Sequence, residues 1–569
     1  MLVCALLVVL SVVPTMATTG TKKGETSTFT IKNSVSGHTY KLYQLLKGDV
    51  SGLNEDGGTG TLSNVEKGDQ AVAVKTAEEI YTLIKNKTGE ELGKTAWSLV
   101  ETGATPKYTI DGTGSNVTKE VENGYYVIED TYSGSQVNDG SNTISRYIVA
   151  VAGNTTVAPK SDFPTIDKKI VDTDANKSLD DYGKTDTAAI GDTIEYEVTG
   201  ELPDMTGYTY YYYYITDTMS EGLTLVDYYE ESDSSKTGGF TVTIGNTTLV
   251  RGTNYHVYKD GQEFKLTIVG LKQLANDNSW SKGTSISIKY NALVNENAKI
   301  GTDANTNTVQ LNYSNNPNTS EQHDDTNKPG IPDNSVPTGI GPNKVTKTYV
   351  TELTLNKVDT EGNALNGAEF TLVGNNLKKL IVNTKVDFVV ANDGTYYKLK
   401  TGVYTETPST TDTADKYVNT NIKYKRVVTT EVKTADEGSH TIVATVDDSG
   451  RLTFTGLNAG TYTLKETKTP EGYSTMKDAT ITISATQDSA NAEVGGDITW
   501  TMSVNDPATI TYINVSTDGK ISANVVNTKG NVLPSTGGIG TRIFYIIGGL
   551  LMAAAAVVLI TKVRFNKNK

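Results

Sequence analysis

The sequence predicts an all-β chain, tandem β-sandwich domains in a linear rod, with a transmembrane helix near its C-terminal end. Three observations carry this. Segments such as Phe264-Lys265-Leu266-Thr267-Ile268 and Ile286-Ser287-Ile288-Lys289-Tyr290 alternate apolar and polar residues with period two. Gly, Asn and Asp punctuate these segments at turn positions, as in sandwiches, and long helical patterns are scarce. The third is an uninterrupted apolar run, Ile543 to Ile560. At 569 residues the chain is too long for one domain and suggests three or four.

From the N-terminus, Leu2 to Val13 is almost wholly apolar and Thr15-Met16-Ala17 offers small residues at a cleavage spacing, so residues 1–17 read as an export signal. The basic segment that usually opens such a signal is missing, which leaves open a start upstream of Met1. Cys4, the only cysteine, lies inside this segment. The exported protein would have no disulfide despite an oxidising location, and a rod there needs another source of toughness.

Domains are expected at 27–160, 161–343 and 344–529. The first boundary is Val157-Ala158-Pro159-Lys160-Ser161-Asp162-Phe163-Pro164; the second is the Pro/Gly-rich stretch from Pro329 to Pro342, read as a stiff linker. Thr76 to Lys85 has helical spacing at Ile80, Leu83 and Ile84 and reads as a short helix in the first domain. Of the five tyrosines Tyr210 to Tyr214, strand alternation would bury about half.

Residues 533–569 combine Leu533-Pro534-Ser535-Thr536-Gly537, the span 543–560, and a tail with Lys562, Arg564, Lys567 and Lys569. The span's 18 residues, at about 1.5 Å each, cover roughly 27 Å, close to a bilayer core. The positive tail fits retention on the cytoplasmic side. This arrangement resembles the sorting signal of Gram-positive sortase substrates. The resemblance implies cleavage between Thr536 and Gly537, transfer of Thr536 to an amine, and a secreted protein covalently anchored to the cell wall. Losing the five positive residues beyond Thr536 takes the formal charge from −15 to −20. Such a chain is unsuited to nucleic acid or anionic membrane and suited to a solvated surface.

In the last domain, Tyr462-Thr463-Leu464-Lys465-Glu466-Thr467-Lys468-Thr469-Pro470-Glu471-Gly472-Tyr473 resembles the E-box of collagen-adhesin B-type domains. Leu353 to Asp359 and Gly367-Ala368-Glu369-Phe370 look like that family's first strands, and Val525-Val526-Asn527-Thr528 like its last. Residues 374–448 are an insertion. The resemblance implies a spontaneous isopeptide bond between Lys357 and Asn527, with Glu466 as catalytic helper. The chemistry explains the residue types. Burial lowers the lysine pKa so that it can attack as the neutral amine, and raises that of the acid so that it can polarise the amide and shuttle protons.

The middle domain resembles the second domain of Gram-positive backbone pilins. Pro164 to Ile170 looks like its first strand, Tyr214 to Leu223 like its Asp-containing segment, and Asn307 to Pro317 like its closing strand. By that resemblance Lys168 pairs with Asn307, helped by Asp217. Lys169 is the alternative, but neighbours on a strand face opposite sides and only one can point inward; Lys168 is favoured. The first domain's Gly124 to Thr131 faintly echoes the E-box, without a Lys/Asn pair beside it. In related pilins the lysine of the pilin motif lies between the first two domains. Here that position is Lys160, with Ala158 and Ser161 where Tyr and Asn are usual, and it would be the nucleophile joined to Thr536 of the next subunit.

Asp172-Thr173-Asp174-Ala175-Asn176 has the start of a calcium loop, but Lys177 and Gly183 stand where Gly and Glu are needed, so no metal is expected, nor any cofactor. The four histidines are scattered and no nucleophile motif occurs; beyond self-crosslinking the chain is not read as an enzyme. Together the resemblances imply three stacked immunoglobulin-like domains forming the shaft subunit of a sortase-assembled pilus. Its partners would be pilin-class and housekeeping sortases, identical subunits, minor pilins, peptidoglycan and a host-surface ligand. The alternative is a single-copy wall-anchored adhesin or minor pilin.

Overall fold

The computed structural model describes residues 25–566, apart from 54–59, 145, 160–162, 172–178, 180–181, 231–237, 318–323, 376, 400–403, 406–420, 437, 489–493 and 531–538. The export signal, Lys160, the Leu533–Gly537 motif and the stretch from Asp172 to Lys177 lie outside the described residues.

Among the described residues the protein is mostly β, in three sandwich units. In the first, the long strand His38–Ser51 pairs with Thr61–Lys67, Tyr108–Asp111 and Gly124–Tyr132, and Arg146–Val151 completes the sheet. A second sheet sets Thr26–Ile31 between Val117–Glu122 and Thr155–Val157. Phe29, Ile31, Tyr40, Leu42, Tyr126 and Ile128 fill the space between the two sheets. The expected helix is Ala77–Ile84. Thr76 caps it by accepting from the Glu79 backbone N–H while the Glu79 carboxylate accepts from the Thr76 N–H, satisfying two otherwise orphan donors. A second helix, Gly89–Ser98, follows it; apolar spacing there is too sparse to signal it in the sequence. Ile80, Ile84, Ala96 and Leu99 pack both helices on Leu45, Leu46 and Val127.

The middle unit faces a six-stranded sheet against a seven-stranded one. Ile166–Val171 edges the first, beside Thr193–Glu201. Asn305–Ser314 lies inside the second, beside Tyr213–Met219. Three of the five tyrosines, Tyr211, Tyr212 and Tyr213, are buried, about the expected share, but they are adjacent rather than alternating because the strand begins only at Tyr213.

The expected linker 329–342 is not one. Lys328–Pro332 and Thr338–Ile340 lie on the middle unit: Thr338–Ile340 pairs with Asn305–Ser314, and the Thr267 hydroxyl donates to the Gly330 carbonyl at 2.8 Å. The boundary at 343/344 also moves. Lys344–Tyr349 pairs with Asn305–Val309 and Thr185–Thr187 in the middle sheet, and Thr351–Asp359 opens the last unit. Alternation decides where the side chains go at this joint. Tyr349 packs in the core of the last unit and Val350 in the core of the middle one, so consecutive residues bind the two bodies.

The last unit has a six- and a five-stranded sheet. Its insertion extends the larger sheet by a hairpin, Lys379–Val390 with Tyr424–Thr434. Helix Ile539–Asn566 ends the described chain. Its apolar stretch runs 543–565, past the expected end at 560, and none of it is buried.

Candidate functional site: two buried lysine–acid–asparagine clusters

In the last unit, Thr351–Asp359 and Ile521–Asn527 run parallel as neighbours, with Lys357 opposite Val525 and Asp359 opposite Asn527. Period-two alternation turns both Lys357 and Asn527 into the core, where they are 0% and 1% exposed. Glu466 comes from the opposing sheet, on Gly460–Lys468. The Asn527 amide donates to its two oxygens at 2.9 and 3.1 Å. The Lys357 Nζ lies 3.9 Å from Glu466 Oε1 and donates to the Val525 carbonyl at 3.2 Å. The chain after the E-box folds back so that the Met476 N–H donates to Glu466 Oε2 at 2.8 Å, fixing the carboxyl. Burial pushes the Lys357 ammonium down to about 8, against a smaller upward pull from Glu466.

In the middle unit Lys168 and Asn307 sit on different sheets, not on adjacent strands. Lys168, Asp217 and Asn307 are all 0% exposed. The Lys168 Nζ donates to Asp217 Oδ2 at 2.5 Å and lies over the rings of Tyr196 and Tyr290, at 5.2 and 5.5 Å. Lys169 faces the other side and pairs with Glu197 at 2.8 Å. Burial drives Lys168 down to about 8, outweighing the Asp217 charge, and drives Asp217 upward. Both shifts favour a neutral amine beside a neutral acid. The carbonyl oxygens of both asparagines, Asn307 Oδ1 and Asn527 Oδ1, are buried without a hydrogen-bond partner among the described residues.

The geometry brings each lysine, acid and asparagine into one dry pocket. In the last unit the carboxyl touches the amide directly, and in the middle unit the Tyr290 hydroxyl bridges the two; amine, acid and amide shielded from bulk water are the groups that a condensation with loss of ammonia requires. Two residues escaped the sequence reading. Lys184, buried behind the middle cluster, donates to Asp167 Oδ1 at 2.5 Å and to the Lys168 carbonyl. The Tyr290 hydroxyl stands between Asp217 and Asn307; the inward alternation Ile286, Ile288, Tyr290 was its only signal. In the first unit the buried acid of the E-box echo, Asp130, faces His38 at 2.7 Å rather than a lysine.

Comparison with known proteins bears on this arrangement. Residues 190–317 match the Gram-positive pilin backbone subunit 2, Cna-B-like domain; residues 425–497 match a prealbumin-like fold domain; residues 525–569 match the LPXTG cell wall anchor motif. The trypsin-resistant surface T6 protein of Streptococcus pyogenes serotype M6 is 27% identical over 440 residues, 76% of this chain and 74% of that protein. These matches together support a sortase-assembled major pilin. Among solved structures, the T6 backbone pilin of serotype M6 Streptococcus pyogenes has 19% identity and a TM-score of 0.47, covering 90% of this pilin and 100% of that chain. The Corynebacterium diphtheriae major pilin SpaA, described with stabilizing isopeptide bonds, has 12% identity and a TM-score of 0.41, covering 88% and 100%. This pilin is therefore a structural shaft subunit, anchored to the cell wall through its C-terminal signal and polymerised by sortase processing.

Proposed function

We propose that this pilin closes two internal isopeptide bonds, Lys168–Asn307 with Asp217 and Lys357–Asn527 with Glu466. The supporting observation is that both lysines are wholly buried, each beside an acid and an asparagine. In each reaction Nζ attacks Cγ of the asparagine, the new C–N bond forms, the Cγ–Nδ2 bond breaks and ammonia leaves. By the chain-entropy estimate used for disulfides, closing loops of roughly 140 and 170 residues adds about 5 kcal/mol each. The Lys357 bond ties the first strand of its unit to the last; the Lys168 bond staples one sheet to the other. Both would lie in the path of a pulling force, and neither can be reduced.

Polymerisation, on this reading, joins Thr536 of one subunit to Lys160 of the next through a pilin-class sortase. A housekeeping sortase transfers the finished polymer to peptidoglycan, and minor pilins or a host-surface ligand engage the shaft. Peptide mapping should recover the two internally cross-linked peptides from the secreted protein. Lys160→Ala, co-expressed with the pilin sortase, should abolish the high-mass ladder; a persisting ladder removes Lys160 from the account.

A further inference from the structure

The two clusters differ in one respect. Glu466 touches the Asn527 amide directly, at 2.9 and 3.1 Å. No contact joins Asp217, one methylene shorter, to Asn307 among the described hydrogen bonds. The Tyr290 hydroxyl stands between them, donating to Asp217 Oδ2 at 2.6 Å and accepting from Asn307 Nδ2 at 3.1 Å. The same Asp217 oxygen holds Lys168 at 2.5 Å. Nucleophile, acid, phenol and leaving nitrogen thus form one unbroken hydrogen-bonded line. The Tyr290 ring is fixed by Tyr196 at 5.5 Å, Phe240 at 5.6 Å and Phe264 at 5.0 Å.

We infer that Tyr290 is a catalytic residue of the middle-domain cross-link, relaying a proton from Asp217 to the departing nitrogen of Asn307. The inference rests on the isopeptide reading above. Condensation moves one proton from the attacking amine to the leaving group. Lys168 Nζ loses it to Asp217 Oδ2 as the C–N bond forms. Tyr290 gives its hydroxyl proton to Nδ2 while taking one from Asp217. Ammonia leaves, and acid and phenol return to their starting states. Among the described hydrogen bonds Tyr290 is the one hydroxyl in contact with Asn307 Nδ2, whereas in the last domain Glu466 contacts the Asn527 amide directly and can perform both transfers itself. Burial holds the Tyr290 phenol well above its ordinary range, so it stays protonated and able to donate.

The test uses the full chain made in a cell-free system, sampled over time and mapped for both cross-linked peptides. The Lys357–Asn527 bond in the same molecule serves as an internal clock. Tyr290→Phe keeps the ring and removes the hydroxyl; the Lys168–Asn307 bond should form on the order of 100-fold more slowly while the clock is unchanged. Tyr213→Phe, which removes another hydroxyl buried in that core without a hydrogen-bond partner among the described residues, should leave both rates unchanged. An unchanged rate in Tyr290→Phe, or equal slowing in Tyr213→Phe, overturns the relay. Absence of the Lys168–Asn307 bond from the unmutated chain overturns the underlying reading instead, and is seen before any variant is made.

Discussion

Lys357 and Glu466 come within 3.9 Å of each other, both side chains fully buried, from strands on opposite sheets of the last domain. An unpaired buried charge is costly, and replacing a buried pair with apolar side chains is often neutral or stabilising, so this pairing needs a reason beyond stability. Chemistry between Lys357 and Asn527 supplies one. In the proposed bond the amine becomes an amide, and burial no longer penalises a charge there.

Removing the acid should therefore stop the chemistry. Glu466→Ala is expected to leave Lys357 and Asn527 unjoined while Lys168–Asn307 still forms. The last domain should lose up to about 5 kcal/mol, read as a lowered thermal transition and as new cleavage by trypsin.

The two neighbouring lysines of the middle domain should behave oppositely. Lys168→Ala removes one cross-link. Lys169→Ala, at a side chain 47% exposed and ion-paired to Glu197, should keep both bonds and cost no more than about 1 kcal/mol. Peptide mapping of both variants decides it; loss of the bond in Lys169→Ala would exchange their roles.

Bond formation should depend on pH. Lys357 attacks as the neutral amine, and burial places its titration at about 8. Below that pH the neutral fraction falls about tenfold per unit, so the Lys357–Asn527 rate should rise from pH 6 to pH 8 and then level. A flat rate over that window would show that deprotonation of Lys357 does not limit the step.

The first domain should show a different pH dependence. His38 is held by the Asp130 carboxylate at 2.7 Å and the Ser141 carbonyl at 2.6 Å. Burial pulls its pKa down, but the Asp130 hydrogen bond and charge, with the Ser141 contact, outweigh that and raise it above 6.5. A raised folded-state pKa stabilises fully below the unfolded value and is lost as pH climbs through the folded one. The first domain's melting temperature should fall as pH rises from about 6.5, and His38→Gln should flatten that slope.

The joint between the last two domains should resist bending. Trp500 donates to the Gly301 carbonyl at 3.0 Å, and Gly301 has φ +91° with a Cβ position only 1.8 Å from the Asp518 carbonyl oxygen. Gly301→Ala should cost about 1–3 kcal/mol and broaden the distribution of interdomain angles measured by scattering.

Much of this was legible in the sequence because alternation is a local signal. The same period that sends Lys168 inward sends Lys169 out, and the Thr76/Glu79 capping box announces its helix. The domain boundary was not legible, since Pro- and Gly-rich chain reads alike whether it crosses between domains or lies along one. Thr338–Ile340 is strand because Asn305–Ser314 offers it a partner far away in sequence. Tyr290 was invisible for a related reason: a tyrosine on an inward strand face reads as core, and only the positions of Asp217 and Asn307 give its hydroxyl a task. That Lys168 and Asn307 belong to different sheets likewise depends on topology rather than spacing.

The intact mass of the secreted, unpolymerised protein tests the central claim most directly. Each bond expels one ammonia, so the mass should fall about 34 Da below that of the unmodified chain, 17 Da for each of Lys168–Asn307 and Lys357–Asn527. A chain at the unmodified mass would contradict both bonds.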